Sequence, residues 1–476
     1  MADERAVRER LERIGQGHVL RFVDQLDAGK RAALVAQAAA LDLEALPGLI
    51  ERYVLHPEPA RVPADVRPAQ YYPANPADPK RPWDAAAARA RGEALIRSGA
   101  VAAFVVAGGQ GSRLGYEGPK GCFPATPVTR KPLFQVFAEN LLWARDRYGV
   151  RVPWYVMTSP LNHEATTKFF AAHGHFGLDP ADVMFFPQGV MPSLSMADGK
   201  VLLSEKHEIA TNPDGHGGCI RALHVSGAIA DMRRRGVRHL SYFQVDNPLV
   251  RVLDPVFIGL HDGAPDSSGE MSSKMVRKTD PGEKVGVFCR VDGRTEVIEY
   301  SDMPAALATK RLEDGSLAFD AGSIAIHVLS VAFLERLATD PSFTLPFHRA
   351  EKKIPYVDPA TGEKVTPTAN NGVKLEKFVF DALALAKSSI VVETERAEEF
   401  APIKNATGVD SVESSARLQT ARAARWLELA GVEVPRRNDG TPDCVLEISP
   451  RTACGPEDLA NLAMVKGIGR GESLAL

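Results

Sequence analysis

Residues 101–115 read Val-Ala-Ala-Phe-Val-Val-Ala-Gly-Gly-Gln-Gly-Ser-Arg-Leu-Gly, and Pro119-Lys120-Gly121 follow closely. An uncharged apolar run that ends in glycines fits a strand buried on both faces. The turn after it carries few side chains, so backbone N–H groups can approach and cradle phosphate oxygens. Gly108, Gly109, Gln110 and Gly111 are the expected cradle. Arg113 adds a guanidinium fork suited to bidentate phosphate contact, and Lys120 a compact point charge. A plain strand-to-helix turn, with glycines serving only tight packing, is the competing reading, and the nearby cations argue against it.

Two familiar glycine motifs do not fit. A dinucleotide fingerprint needs G-x-G-x-x-G, whereas Gly109, Gly111 and Gly115 are spaced one residue too long. A P-loop needs Gly-Lys-Ser/Thr, and here the lysine follows a proline. An NAD-dependent oxidoreductase is therefore not expected.

The whole chain has 476 residues, 57 Lys+Arg against 60 Asp+Glu, and a net charge of -3. That balance argues against a general nucleic-acid or membrane-surface binder, which needs a broad basic field. Any polyanion must be gripped locally. Between Gly109 and Lys131 four basic residues (Arg113, Lys120, Arg130, Lys131) stand against Glu117, a local charge of +3. The longest apolar run, Ala100 to Ala107, is far short of the roughly 20 residues that span a bilayer. The N-terminus alternates charges and has no apolar leader, and the five cysteines (Cys122, Cys219, Cys289, Cys444, Cys454) are scattered singly. Free thiols in a reducing cytoplasm are expected.

Apolar spacing predicts helices from Ala6 to about Leu55, and prolines from Pro57 through Pro59, Pro63 and Pro68 to Pro82 predict an extended linker. Together with a helix over Asp84–Arg97, residues 1–98 form a helical N-terminal segment. Strands are expected at Val101–Ala107, Pro153–Thr158, Val183–Phe186, His239–Val245, Val285–Arg290 and Thr295–Tyr300, with helices at Leu133–Tyr148 and Glu164–Gly174. This alternation predicts an α/β domain over 99–388 with a mostly parallel sheet, and ligands at the carboxyl ends of its strands. Residues 389–476, with one helix near 415–430, are expected to form a small β-rich C-terminal domain.

The string Gly108-Gly-Gln-Gly-Ser-Arg-Leu-Gly115 with Pro119-Lys120-Gly121 resembles the signature of the UDP-sugar pyrophosphorylases. The likeness extends in order through Phe185-Phe-Pro-Gln-Gly189, Pro213-Asp-Gly-His-Gly-Gly218, Gln244-Val-Asp-Asn247, Val285-Gly-Val-Phe-Cys-Arg290, Val297-Ile-Glu-Tyr300, Lys353-Ile-Pro-Tyr-Val-Asp358, Lys374-Leu-Glu-Lys-Phe-Val-Phe-Asp381 and Pro402-Ile-Lys-Asn405. Their order is most similar to the UDP-N-acetylhexosamine branch. The resemblance implies a Rossmann-like, GT-A-like nucleotidyltransferase core with a mixed sheet. It also implies a reaction: a sugar-1-phosphate attacks UTP, pyrophosphate leaves, and a UDP-sugar forms with Mg²⁺ present. No nucleic acid or membrane partner is expected, and the sequence does not fix an oligomeric state.

By that resemblance Arg113, Lys120 and Lys404 are catalytic cations, and Asp246 touches nucleotide and metal. On its own spacing Asp246 ends an apolar strand, where a carboxylate could bridge Mg²⁺ to phosphate or merely cap the Asp-Asn-Pro turn. Gln188, Gly215, His216 and Gly217 are the expected uracil readers. Asn247, Gly286, Glu299, Ser323, Phe378 and Phe380 are the expected sugar contacts, although two phenylalanines so spaced could equally share one face of a core strand.

The branch usually carries an asparagine-rich string where this chain has Asp320-Ala-Gly-Ser-Ile-Ala-Ile-His327. Ser323 keeps a donor and acceptor but is shorter by an amide, so it would need a water to reach the same atom. His216 also replaces a usual asparagine. N-acetylglucosamine-1-phosphate is the first expected acceptor, with glucose-1-phosphate or several sugars as the alternative. A non-catalytic nucleotide-sugar sensor would have little use for Arg113, Lys120, Asp246 and Lys404 together.

Overall fold

The structure is a computed structural model and describes residues 3–57, 63, 65–340, 342–460 and 467–476. Pro59 of the proline-rich linker and residues 461–466 of the C-terminal region lie outside the described residues. The chain folds as two compact units, and neither is a continuous stretch of sequence.

The larger unit comprises Val62–Pro187, Cys219–Phe343 and Phe380–Leu476. Its centre is the run Val101–Val106, whose first five residues are fully buried, as an uncharged strand covered on both faces requires. This strand pairs in parallel with His239–Gln244 on one side and Trp154–Thr158 on the other, and the latter pairs in parallel with Val183–Pro187. Beyond His239–Gln244 the sheet turns mixed. Ala321–Ser330 runs antiparallel to it, Met271–Arg277 antiparallel to that, and Val391–Glu393 parallel to Met271–Arg277. The expected α/β class holds, and 11 strands among the described residues form the mixed sheet that the resemblance implies rather than the mostly parallel one that the alternation predicts.

Helix Leu133–Tyr148 has the bounds its sequence pattern predicts, and Gly149 ends it in the left-handed conformation (φ 69°) that glycine adopts without cost. Helices Ala85–Arg97 and Pro255–Gly263 meet backbone to backbone. A Cβ on Gly92 would lie 1.8 Å from the Pro255 carbonyl oxygen, and one on Gly259 equally close to that of Ala88. Gly92→Ala is therefore expected to destabilise the larger unit by about 3 kcal/mol, read as a lower urea midpoint with unchanged slope.

The smaller unit comprises Met1–Arg61, Gln188–Gly218 and Thr344–Val379. Helices Glu4–Arg13 and Ala28–Ala40 each need cover for an apolar stripe. Leu11, Leu34, Val35 and Ala38 find it on Leu194, Val201, Leu203, Ile209, Val373 and Leu375, contributed by two segments far downstream.

Three consecutive domains are thus not what the chain builds. The helices of 1–55 share a core with two insertions, whereas the expected linker contributes Val66–Pro68 and Tyr71–Tyr72 to the large sheet. Residues 389–476 are not a separate β-rich domain. They supply Val391–Glu393 to that sheet and an 18-residue helix, Val412–Leu429, which packs through Ala424, Trp426 and Leu427 on Leu446. Among the described residues no helix is long and apolar enough to cross a membrane.

Candidate active site

The glycine turn leaves the central strand as a tight loop. Gly111 N–H donates to the Gly118 carbonyl (2.9 Å) and Lys120 N–H to the Gly109 carbonyl (3.0 Å), closing the loop on itself. Gly111 is required there, because a Cβ would lie 2.8 Å from the Tyr116 ring. The amides of Gly108, Gly109 and Gln110 donate to no backbone carbonyl among the described residues, and Gly109 and Gln110 are exposed. Donors without internal partners at the end of a strand are what an anion cradle needs.

Asn162 holds this turn in place, and sequence reasoning missed it. Standing just before helix His163–Ala172, it reads as an N-cap, yet its side chain caps nothing in that helix. Instead the buried amide accepts from Ser159 N–H (2.8 Å) and donates to the carbonyls of Ala107 (3.0 Å) and Gly109 (3.2 Å).

Lys120 is only 8% exposed at the start of a short 3₁₀ turn. Burial pushes its pKa down from the usual 10.5. The nearby Asp246 carboxylate opposes that shift, while Arg113 and Lys404 add to it. Arg113, Asp246 and Lys404, from three distant parts of the sequence, therefore all act on Lys120. Asp246 follows His239–Gln244 at the carboxyl end of a strand, where an open α/β sheet offers its ligand crevice. Its carboxylate makes no hydrogen bond or salt bridge among the described residues. Ile403 N–H donates to the Asp246 carbonyl (2.8 Å), which brings Lys404 alongside; the Lys404 ammonium lies 3.4 Å from Asp410.

Asp246, Asn247, Ser323, Ala325 and Lys404 line a cavity of about 80 Å³. Ala325 has φ 55°, rare for a residue with a side chain, at the point where Ala321–Ser330 shifts register against Met271–Arg277. Through that irregular stretch Ser323, Ile324, Ala325 and Ile326 all border the cavity. Ser323 N–H donates to the Gly286 carbonyl (2.8 Å), and a Cβ on Gly286 would lie 3.2 Å from the Glu299 carboxylate, so these three expected sugar residues do converge. Of the departures from the asparagine-rich string, Ile326 is buried and borders the cavity, and Asp320 accepts from the Tyr71 hydroxyl (3.3 Å).

Asn247 lines the cavity and is also bonded from within. Its amide oxygen accepts from Leu249 and Ala401 N–H, and its nitrogen donates to the Glu399 carbonyl (2.7 Å). At 5% exposure it ties two segments together at the cavity wall. Neither Phe378 nor Phe380 lies on a strand, so the competing reading of one shared strand face does not hold.

The smaller unit holds the expected base readers. Gln188 donates its amide nitrogen to the Asp214 carboxylate (3.2 Å) and the Gly215 carbonyl (3.3 Å). Gly217 packs where a Cβ would lie 2.7 Å from the backbone of Lys377 and Phe378. His216 stacks on Phe378 with ring centroids 5.0 Å apart, and His348 stacks on the same ring at 4.2 Å. His216 thus sets one ring face against a phenylalanine. Its Nδ1 accepts from Val379 N–H (3.1 Å), and burial, helped by His348, pushes its pKa down to about 4. The ring is neutral at physiological pH, with its proton on Nε2.

A sequence model described as UTP–glucose-1-phosphate uridylyltransferase matches residues 86–424. The human UDP-N-acetylhexosamine pyrophosphorylase-like protein 1 is 39% identical over 96% of this chain and 94% of its own length. The UDP-N-acetylglucosamine pyrophosphorylase of Saccharomyces cerevisiae is 37% identical over 78% of this chain and 77% of its own. The solved structure of the uridine diphosphate N-acetylglucosamine pyrophosphorylase from Trypanosoma brucei aligns with 99% of both chains at a TM-score of 0.79 and 27% identity. A match over most of the chain, in which the glycine turn, Asp246 and Lys404 all fall, leaves no other assignment: the chain belongs to the UTP–glucose-1-phosphate uridylyltransferase family of UDP-sugar pyrophosphorylases.

Proposed function

We propose that the protein transfers uridylyl from UTP to a sugar 1-phosphate, N-acetylglucosamine 1-phosphate before others, and releases pyrophosphate. The observation that carries this reading is the gathering of Arg113, Lys120, Asp246 and Lys404 beside a glycine turn with unspent amides. We read the sheet as a GT-A-like Rossmann nucleotidyltransferase core. We place the enzyme in the cytoplasm, where five free thiols stay reduced.

In the reaction an oxygen of the sugar 1-phosphate attacks the α-phosphorus of UTP, the bond to the β-phosphate oxygen breaks, and negative charge moves onto pyrophosphate. Such chemistry needs positioning and charge neutralisation more than covalent help. The amides of Gly108, Gly109 and Gln110 hold the triphosphate with Arg113. Lys120 meets the growing charge, and its low exposure strengthens that interaction. Lys404 holds the acceptor phosphate beside Asp246. Magnesium fits this site: it is commonly held by one or two carboxylates with phosphate oxygens, and Asp246 has an uncommitted carboxylate. Among the described residues no cluster of three or more metal-binding side chains exists, so phosphates would complete the shell. When bound, magnesium neutralises charge on those phosphates.

Gln188 has spent its amide nitrogen, which leaves the oxygen to accept from the uracil N–H. Glu299 and the Gly286 backbone take sugar hydroxyls. Ser323, shorter than the asparagine of the resembling branch, favours a second reading with glucose 1-phosphate as acceptor. Purified protein with UTP, Mg²⁺ and a panel of sugar 1-phosphates, followed by pyrophosphate release, decides between them. The expected result is highest kcat/KM with N-acetylglucosamine 1-phosphate. Activity with glucose 1-phosphate alone overturns the first choice of sugar, and no activity with any sugar overturns the reaction.

A further inference from the structure

Three charged side chains meet outside the cavity lining, two of them buried and the third, Asp254, 14% exposed. Lys274, in the strand Met271–Arg277, is 2% exposed, and its ammonium donates to Asp254 (2.6 Å) and to Glu399, itself 1% exposed. A second tier continues from Glu399. Its carboxylate accepts from Thr394 Oγ1 (2.9 Å) and Arg251 N–H (3.1 Å), and its backbone carbonyl accepts from the Asn247 amide (2.7 Å). Asn247 then bonds Ala401 N–H (3.1 Å), and Ile403 N–H bonds the Asp246 carbonyl (2.8 Å). Each step moves toward Asp246 on one segment and toward Lys404 on the other.

A buried ion cluster is a weak source of stability, because desolvation offsets most of the attraction and apolar replacements are often as stable. What directed charged hydrogen bonds do supply is a fixed geometry. Asn247 and Glu399 lie 152 residues apart in sequence, so nothing local holds their segments in register. The Lys274 ammonium bonds both Asp254, downstream of Asp246 on the first segment, and Glu399 at the head of the second.

We infer that Lys274 is a positioning residue that acts through Glu399 and Asn247 to set the Asp246 carboxylate against the Lys404 ammonium. The inference rests on the proposed uridylyl transfer for its kinetic consequence, but its structural consequence stands by itself. A displacement near 1 Å at a reacting centre costs about 100-fold in rate. Lys274→Met and Glu399→Gln are therefore each expected to lower kcat by about 100-fold. The KM for UTP should stay within about threefold, since the glycine turn and Arg113 belong to other segments. Amide exchange across 399–405 should accelerate by about tenfold in the same variants.

Lys274→Met strands the buried Glu399 carboxylate and the partly buried Asp254, and risks misfolding. Glu399→Gln keeps the side chain's shape, and Thr394→Val removes only one hydroxyl; the latter should show a smaller kcat loss of about threefold, again without a KM change. A folded Glu399→Gln protein with near-normal kcat, or unchanged exchange across 399–405, overturns the inference. If the wild-type protein transfers uridylyl to no sugar, the proposed function fails, and the exchange measurement alone decides whether Lys274 holds the two segments.

Discussion

Lys120→Ala is expected to lower turnover by about two to three orders of magnitude, while UDP-sugar binding changes by no more than about tenfold. Pyrophosphate acquires its full charge only as the bond to the α-phosphorus breaks, so a cation facing it contributes more in the transition state than in the ground state. Lys120 suits this task because it is 8% exposed: little water competes for the developing charge. Arg113 is exposed, and its loss should act more on the KM for UTP than on turnover. Steady-state kinetics with calorimetric titration of UDP-sugar separates the two effects. Near-normal turnover in the Lys120→Ala protein sinks the assignment, and so does a loss confined to binding.

What the sequence made legible was whatever depended on near neighbours. The run Val101–Val106 and its glycine turn form a self-contained signal, because an uncharged strand and a loop without side chains each have few alternatives. The helix Leu133–Tyr148 is likewise set by its own periodicity and by Gly149. Strand Met271–Arg277 escaped notice for the opposite reason. Lys274 in its middle argues against burial until Asp254 and Glu399 are seen to meet it. Strand Ala321–Ser330 was hidden by small residues and by the irregularity at Ala325, which breaks the alternation a strand normally shows. The division into units could not be read either, since the stripe Leu34, Val35, Ala38 reveals that a helix needs cover but not which distant segment provides it. The same limit applies at the site. Lys120, Asp246 and Lys404 were nameable one by one, but the amide bonds that turn Asn247 and Asn162 into fastenings depend on segments brought together only by the fold.

Asp246→Asn is expected to lower turnover by about two to three orders of magnitude and to move the alkaline limb of the kcat/KM profile to lower pH. The second effect follows from Lys120, which serves only while protonated. Burial, together with Arg113 and Lys404, holds its pKa below the ordinary 10.5, and Asp246 is the neighbour that raises it. Activity should therefore fall as pH rises through that lowered pKa. Removing the Asp246 charge lowers it further, so the limb shifts toward acid. Lys404→Met supplies the opposite sign: it removes a cation that lowers the Lys120 pKa, so the limb shifts toward alkali even though overall activity drops. Loss of a metal ligand alone would change Mg²⁺ dependence without a paired movement of the two limbs in opposite directions. Profiles of the wild type and both variants at saturating Mg²⁺ make the distinction. Coincident alkaline limbs would show that Lys120 does not govern them, and would reduce Asp246 to a metal ligand with no electrostatic hold on the lysine.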